Sequence, residues 1–187
     1  GDGNAMLAHG AREPHAARER ACGKPVRDKV DDVGYLTNAV AYLQKKYGVA
    51  AGQTFVTGHS NGSMMAQRML CETRVFAAGV TMSGPLAPGI TQCAGAKGVR
   101  ILALHGEVDE NVPLAGGKGT KGPMRVQRDV QFNSEAAAKQ VFEAWGASYT
   151  LQVVPGADHS LKRIDEVLVQ QGTSLGESIT RFLGLTR

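Results

Sequence analysis

The chain of 187 residues is long enough for one domain with a real core; 42% of it is hydrophobic, 20% is charged, and no run of 18 apolar residues offers a membrane span. Its net charge of +4 comes from 21 Lys and Arg against 17 Asp and Glu, scattered through 12–29, 45–46, 118–128 and 162–163 without interleaved aromatics, which argues against a nucleic-acid platform. Cys22, Cys71 and Cys93 lack metal-ligand spacing such as C-x-x-C, so a zinc site is not expected.

Residues 1–29 are rich in Gly, Ala, Arg and Pro without a sustained period and read as an irregular N-terminal segment. Val30, Val33, Leu36, Val40 and Leu43 then recur at helical spacing, with acids early, lysines late and Gly48 as the stop. A strand is predicted over 53–57 and a helix over 63–72, followed by strands over 77–82 and 99–106. Segment 114–131 has no period and reads as a long surface loop; its GGKGTKG lacks the spacing and setting of a phosphate-binding loop. A helix over 134–145, a strand from 148 and a closing helix with a Ser174–Glu177 capping pair complete the chain. Short apolar strands alternating with helices predict an α/β fold: one domain over 1–187, a mostly parallel sheet with helices on both faces.

The stretch TFVTGHSNGSMM at 54–65 contains G-x-S-x-G, with apolar strand residues in front and helix formers behind. Chance alone would produce this pattern about once in eight chains of this composition, so the strand and helix around it carry most of the weight. In such an elbow the serine is lifted above the sheet edge, and flanking glycines are expected because a β-carbon at either place would collide with the neighbouring strand or helix. Ser60 is the predicted nucleophile, and Asn61 N–H, just after it, is a predicted oxyanion donor. The plain alternative is a tight glycine turn with an incidental serine.

A serine nucleophile needs a base and a carboxylate to orient that base, here in the chain order Ser, acid, His. The loop Glu107-Val108-Asp109-Glu110 follows the strand ending at 106, where catalytic groups collect in open α/β sheets. Asp109 is the predicted orienting acid, with Glu107 and Glu110 as surface charges. His159, on the glycine-containing loop after the last strand, is the predicted base. Asp158 is a poor orienter, since adjacent side chains on extended backbone diverge. His59 is expected to line the substrate pocket and His105 to be structural, with His9 and His15 solvated. Met64 is a candidate pocket wall, although Met64 and Met65 on the helix after the elbow are more often core filling. Cys71 and Cys93 flank one strand and its loop and could form a disulfide, leaving Cys22 unpaired.

Together CGKPVRDKVDDVGYL, TGHSNGSMMAQRMLCE, ALHGEVDENVP and VPGADHS resemble the polyhydroxybutyrate depolymerase and feruloyl esterase type of bacterial carboxylesterase, within the α/β-hydrolase superfamily. The resemblance covers 22–187 and implies a cofactor-free serine esterase with Ser60, Asp109 and His159 in the roles derived above, exported or periplasmic sooner than cytoplasmic. Members of that family carry several strands and an HG-containing loop ahead of these motifs, whereas 21 residues precede Cys22 here. The expectation is a domain lacking those N-terminal strands, with His9-Gly10 a weak stand-in for the second oxyanion donor. An exposed sheet edge would favour homo-oligomers. With one tryptophan and 5% aromatic residues, a small short-acyl ester is the expected substrate. The alternatives are a polyester depolymerase, feruloyl esterase or thioesterase with the same triad, and a catalytically silent binding or assembly module.

Overall fold

Helix α1 (Asp32–Tyr47) opens the part of the chain that the computed structural model describes, residues 30–121 and 130–185. The readings for His9, His15 and Cys22, and those for 122–129, lie outside the described residues. The Asp31 carboxylate caps α1 by accepting from Gly34 N–H at 2.9 Å. Its periodic face is only partly covered: Val33, Leu36 and Val40 are half-buried, while Val30 and Leu43 are exposed. A single 3-10 turn over Ala51–Gln53 follows, so strand β1 (Phe55–His59) starts two residues later than its sequence pattern predicts.

Helix α2 (Asn61–Glu72) begins directly after Ser60. Strands β2 (Ala78–Met82) and β3 (Arg100–Gly106) come next, then a two-residue antiparallel pairing of β4 (Gly117–Lys118) with β5 (Gln131–Phe132). All of that small ribbon except Phe132 lies inside the segment 114–131, whose sequence reads as plain loop. Helix α3 (Glu135–Ala144), strand β6 (Ser148–Val154) and helices α4 (Leu161–Gln170) and α5 (Leu175–Leu183) complete the described elements. The periodic reading does not single out α4, although Ser160 caps it and Ile164, Val167 and Leu168 are buried from it. The Ser174–Glu177 capping box starts α5 as the sequence predicts.

The four long strands form one parallel sheet in the order β1-β2-β3-β6. A parallel sheet requires helices on both faces, and its central strands are correspondingly apolar on both. All five residues of β2 are buried. Strand alternation sends Ile101, Ala103 and Tyr149 to one face, where they meet Leu70 and Cys71 of α2 and Phe142 of α3. Val80, Met82, Leu102 and Leu104 go to the other face and pack against Leu183 of α5. Each fully buried aliphatic side chain here contributes roughly 1.5–3 kcal/mol relative to exposure. Cys71 and Cys93 are joined as a disulfide that ties the end of α2 to the loop after β2.

This parallel arrangement sets the C-terminal ends of β1, β3 and β6 along the same edge of the sheet, with β2 between β1 and β3. His59 ends β1, Gly106 ends β3 in register with Val154 of β6, and the loops leaving these strands carry Ser60, Asp109 and His159.

Candidate active site

Ser60 stands between β1 and α2 with φ 56° and ψ −122°, a positive-φ conformation that costs a non-glycine residue on the order of 1–3 kcal/mol. Two backbone bonds hold it there: Ser60 N–H donates to Met82 O at 2.8 Å, and its carbonyl accepts from Met64 N–H at 3.1 Å. Gly58 must lack a side chain, because a β-carbon there would run into the carbonyl of Gly62 and the amide of Ser63. The expected collision at Gly62 does not occur: nothing lies within 4 Å of a β-carbon placed there, since the residue faces outward from the first turn of α2. Of the two glycines that flank the serine, packing enforces only Gly58.

Ser60 Oγ lies 2.9 Å from His159 Nε2, and His159 Nδ1 lies 2.7 Å from Asp109 Oδ2. The other Asp109 oxygen accepts from Asn111 N–H and Val112 N–H, both at 2.9 Å, so the carboxylate has one oxygen pinned by backbone and one aimed at the imidazole. The three residues singled out in the sequence are thus brought together as one hydrogen-bonded chain across 99 positions. The His159 loop is close to the strand that carries the acid: a β-carbon on Gly106 would strike the carbonyls of Ala157 and Asp158. Glu107 contributes as well, its carboxylate accepting from Gly156 N–H at 3.0 Å. Glu110 pairs with Lys121 at the surface. Asp158 turns toward Ser160, accepting from its N–H at 2.9 Å and its hydroxyl at 2.8 Å, and does not orient His159.

His59 does more than line a wall. Its Nε2 donates to the His159 carbonyl at 2.7 Å, and the two rings lie 4.9 Å apart. A cavity of about 520 Å³ opens beside this pair, lined among others by His59, Val108, Asn111, His159 and Leu161. Met64 is half-buried on α2 and is not among the residues lining that cavity. Asn61, the first residue of α2, is exposed, and its N–H has no intrahelical acceptor by position. Among the described residues no group of three or more His, Cys, Asp or Glu could hold a metal ion, and no helix is long and apolar enough to cross a membrane.

Sequence reasoning expects a structural His105 but misses the partners that hold it behind Asp109. His105 is fully buried: Nδ1 lies 2.8 Å from Glu135 Oε1, while Nε2 lies 2.8 Å from the Val112 carbonyl and 3.3 Å from Asp109 Oδ2. Burial opposes charge on this ring, but hydrogen bonds to Asp109 and Glu135, the Glu135 charge and the Val112 carbonyl outweigh it and raise the pKa from 6.5 to about 9. Burial likewise disfavours the Asp109 anion, yet hydrogen bonds from His105 and His159 hold that carboxyl well below the usual range. The available signals are a histidine and an aspartate four apart across a strand end, and a glutamate opening the alanine-rich stretch EAAAK.

The raised His105 pKa links to stability with a definite sign. Below pH 6.5 the ring is protonated folded or unfolded, and the interaction contributes fully. As pH rises from 6.5 through about 9, the contribution is lost, on the order of 3 kcal/mol for such a shift. Urea unfolding at pH 6 and pH 10 should show a loss of about this size, most of it absent in His105→Gln. Equal pH dependence in the two proteins would count against a charged His105.

A serine held in a strained turn between strand and helix, with Asp and His loops at the ends of later parallel strands, defines the α/β-hydrolase architecture. The Phospholipase/Carboxylesterase family matches residues 29–164, and the chain belongs to that family. Among solved structures it is similar to a Bacillus cereus carboxylesterase, with 15% identity over 78% of this chain and 62% of that chain and a TM-score of 0.58. It is also similar to a variant of Arabidopsis thaliana SOBER1, at 21% identity over 81% of this chain and 62% of that chain, TM-score 0.52. A Pyrococcus horikoshii acylaminoacyl peptidase shares the fold at 14% identity over 78% of this chain and 28% of that chain, TM-score 0.51. The chain therefore spans about three-fifths of the length of the carboxylesterase and SOBER1 structures it resembles. No curated protein matches it.

Proposed function

We propose that this chain carries the catalytic apparatus of a serine carboxylesterase acting on small, short-acyl esters. The observation that carries the reading is the hydrogen-bonded chain from Ser60 Oγ through His159 to Asp109, with the serine at a strained turn. In acylation Ser60 Oγ attacks the ester carbonyl carbon while His159 Nε2 takes its proton. Asp109 stabilises the resulting imidazolium, and Asn61 N–H, aided by the N-terminal end of α2, donates to the developing oxyanion. The proton on Nε2 then passes to the departing alkoxide. Water, deprotonated in turn by His159, attacks the acyl-Ser60 carbonyl; the bond to Ser60 Oγ breaks, His159 returns the proton to that oxygen, and the acid is released.

Beside His159 the cavity of about 520 Å³, flanked by Val108 and Leu161, offers apolar contact to a small substrate. The match to a carboxylesterase family and the resemblance of the elbow, acid and base motifs to depolymerase and feruloyl esterase sequences favour an oxygen ester over other acyl groups. A fluorophosphonate probe should label the folded protein at Ser60, located by peptide mass mapping. With p-nitrophenyl acetate, butyrate and palmitate, kcat/KM should be highest for the two short esters. A folded protein unlabelled at Ser60 would remove the nucleophile, and a preference for palmitate would overturn the substrate class.

A further inference from the structure

The groups behind Asp109 form a directed chain of hydrogen bonds that the triad alone does not require. Gln67 of α2, fully buried, donates from Nε2 to Tyr149 Oη at 3.2 Å and to the Gly84 carbonyl at 3.0 Å. Tyr149 of β6 donates to Glu135 Oε2 at 2.6 Å. Burial, reinforced by the Glu135 charge, raises the phenol pKa well above its usual value, so Tyr149 keeps the proton it donates. Glu135, at the start of α3, accepts from His105 Nδ1 on its other oxygen. Both ring nitrogens of His105 therefore face acceptors: Glu135 on one side, the Val112 carbonyl and Asp109 on the other. An imidazole so placed satisfies all of them only with a proton on each nitrogen. Four titratable groups from three elements or their loops surround this ring: Asp109 after β3, Glu135 on α3, Tyr149 on β6, and His159 after β6, beyond Asp109.

We propose that His105 and Glu135 are positioning residues of the esterase site, a buried imidazolium–carboxylate pair that holds Asp109 ionised and directs its free oxygen at His159. The inference rests on the triad reading above. Asp109 Oδ2 is shared between His159 on the outer side and His105 on the inner side, at 2.7 and 3.3 Å. A cation on the inner side offsets the field that Asp109 exerts on the outer imidazole, and this sets the pH at which the base becomes free to act. Neither His105 nor Glu135 lines the cavity, so their influence falls on the reacting groups and not on substrate binding.

Glu135→Gln discriminates this role from plain packing. The amide keeps the volume and can accept from Tyr149 while donating to His105 Nδ1, leaving a neutral His105. Its acid limb of kcat/KM should move to higher pH by about half a pH unit or more, because Asp109 no longer shares its charge with an inner cation. The plateau kcat should fall about tenfold with KM unchanged. Tyr149→Phe, which keeps both charges, should leave the acid limb in place. A folded Glu135→Gln protein whose limb does not move would overturn the proposal, as would a Tyr149→Phe limb shifted equally. Should Glu135→Gln fail to fold, the ¹⁵N imidazole resonances of the wild-type protein at pH 7.5 decide. Two protonated nitrogens on His105 support the charged pair, and one overturns it. Failure of Ser60 labelling would defeat the esterase reading separately, since it does not depend on the state of His105.

Discussion

Ser60→Ala is expected to lower kcat for p-nitrophenyl acetate by a factor of about 10⁶, to the level that oxyanion donation and binding alone sustain. Stability should barely change, because the Ser60 side chain makes one hydrogen bond, to His159, and alanine must adopt the same positive φ. Adding His159→Ala should reduce kcat little further, since base and nucleophile act as one unit. Steady-state kinetics with a matched thermal melt provide the check. If the single variant keeps more than a tenth of the wild-type rate, Ser60 is not the nucleophile. A wild-type protein inert toward every ester offered would instead favour the silent binding or assembly module.

The second large effect concerns the acid. Asp109→Asn should lower kcat by about 10⁴ through the tautomer of His159. The oxygen that accepts from Asn111 and Val112 N–H at 2.9 Å is fixed by those two donors, so an asparagine must place its amide oxygen there. Its NH₂ then faces His159 Nδ1 and His105 Nε2. His159 answers by accepting at Nδ1 and carrying its proton on Nε2, where it can no longer take the proton of Ser60. The NH₂ also confronts the charged His105, so the variant should unfold at lower denaturant concentration than wild type. A folded variant losing less than tenfold in kcat would show that Asp109 does not orient the base.

The two effects differ in how openly the chain displays them. Ser60 is legible because an elbow needs a strand before it and a helix after it, and both patterns surround the serine. The loops of Asp109 and His159 follow from chain order, since consecutive parallel strands end on the same side of a sheet. The pairing of Cys71 with Cys93 was one option among the possible cysteine states. By contrast, Gln67 and Tyr149 stand 82 positions apart with no motif between them, and Glu135 reads as an ordinary first-turn acid. The apolar period of α1 correctly marks a helix but leaves Val30 and Leu43 exposed among the described residues.

By itself the amino-acid order determined the strand and helix alternation, the elbow and the three loops that carry Ser60, Asp109 and His159, because backbone periodicity and turn chemistry are local. Only the tertiary structure decided which polar side chains lie out of water. His105 becomes an imidazolium between two carboxylates, and Gly106 becomes irreplaceable, when β3 packs against the His159 loop and α3. Burial removes solvent as a partner, so the protonation state of a group is set by neighbours that the chain brings from far away.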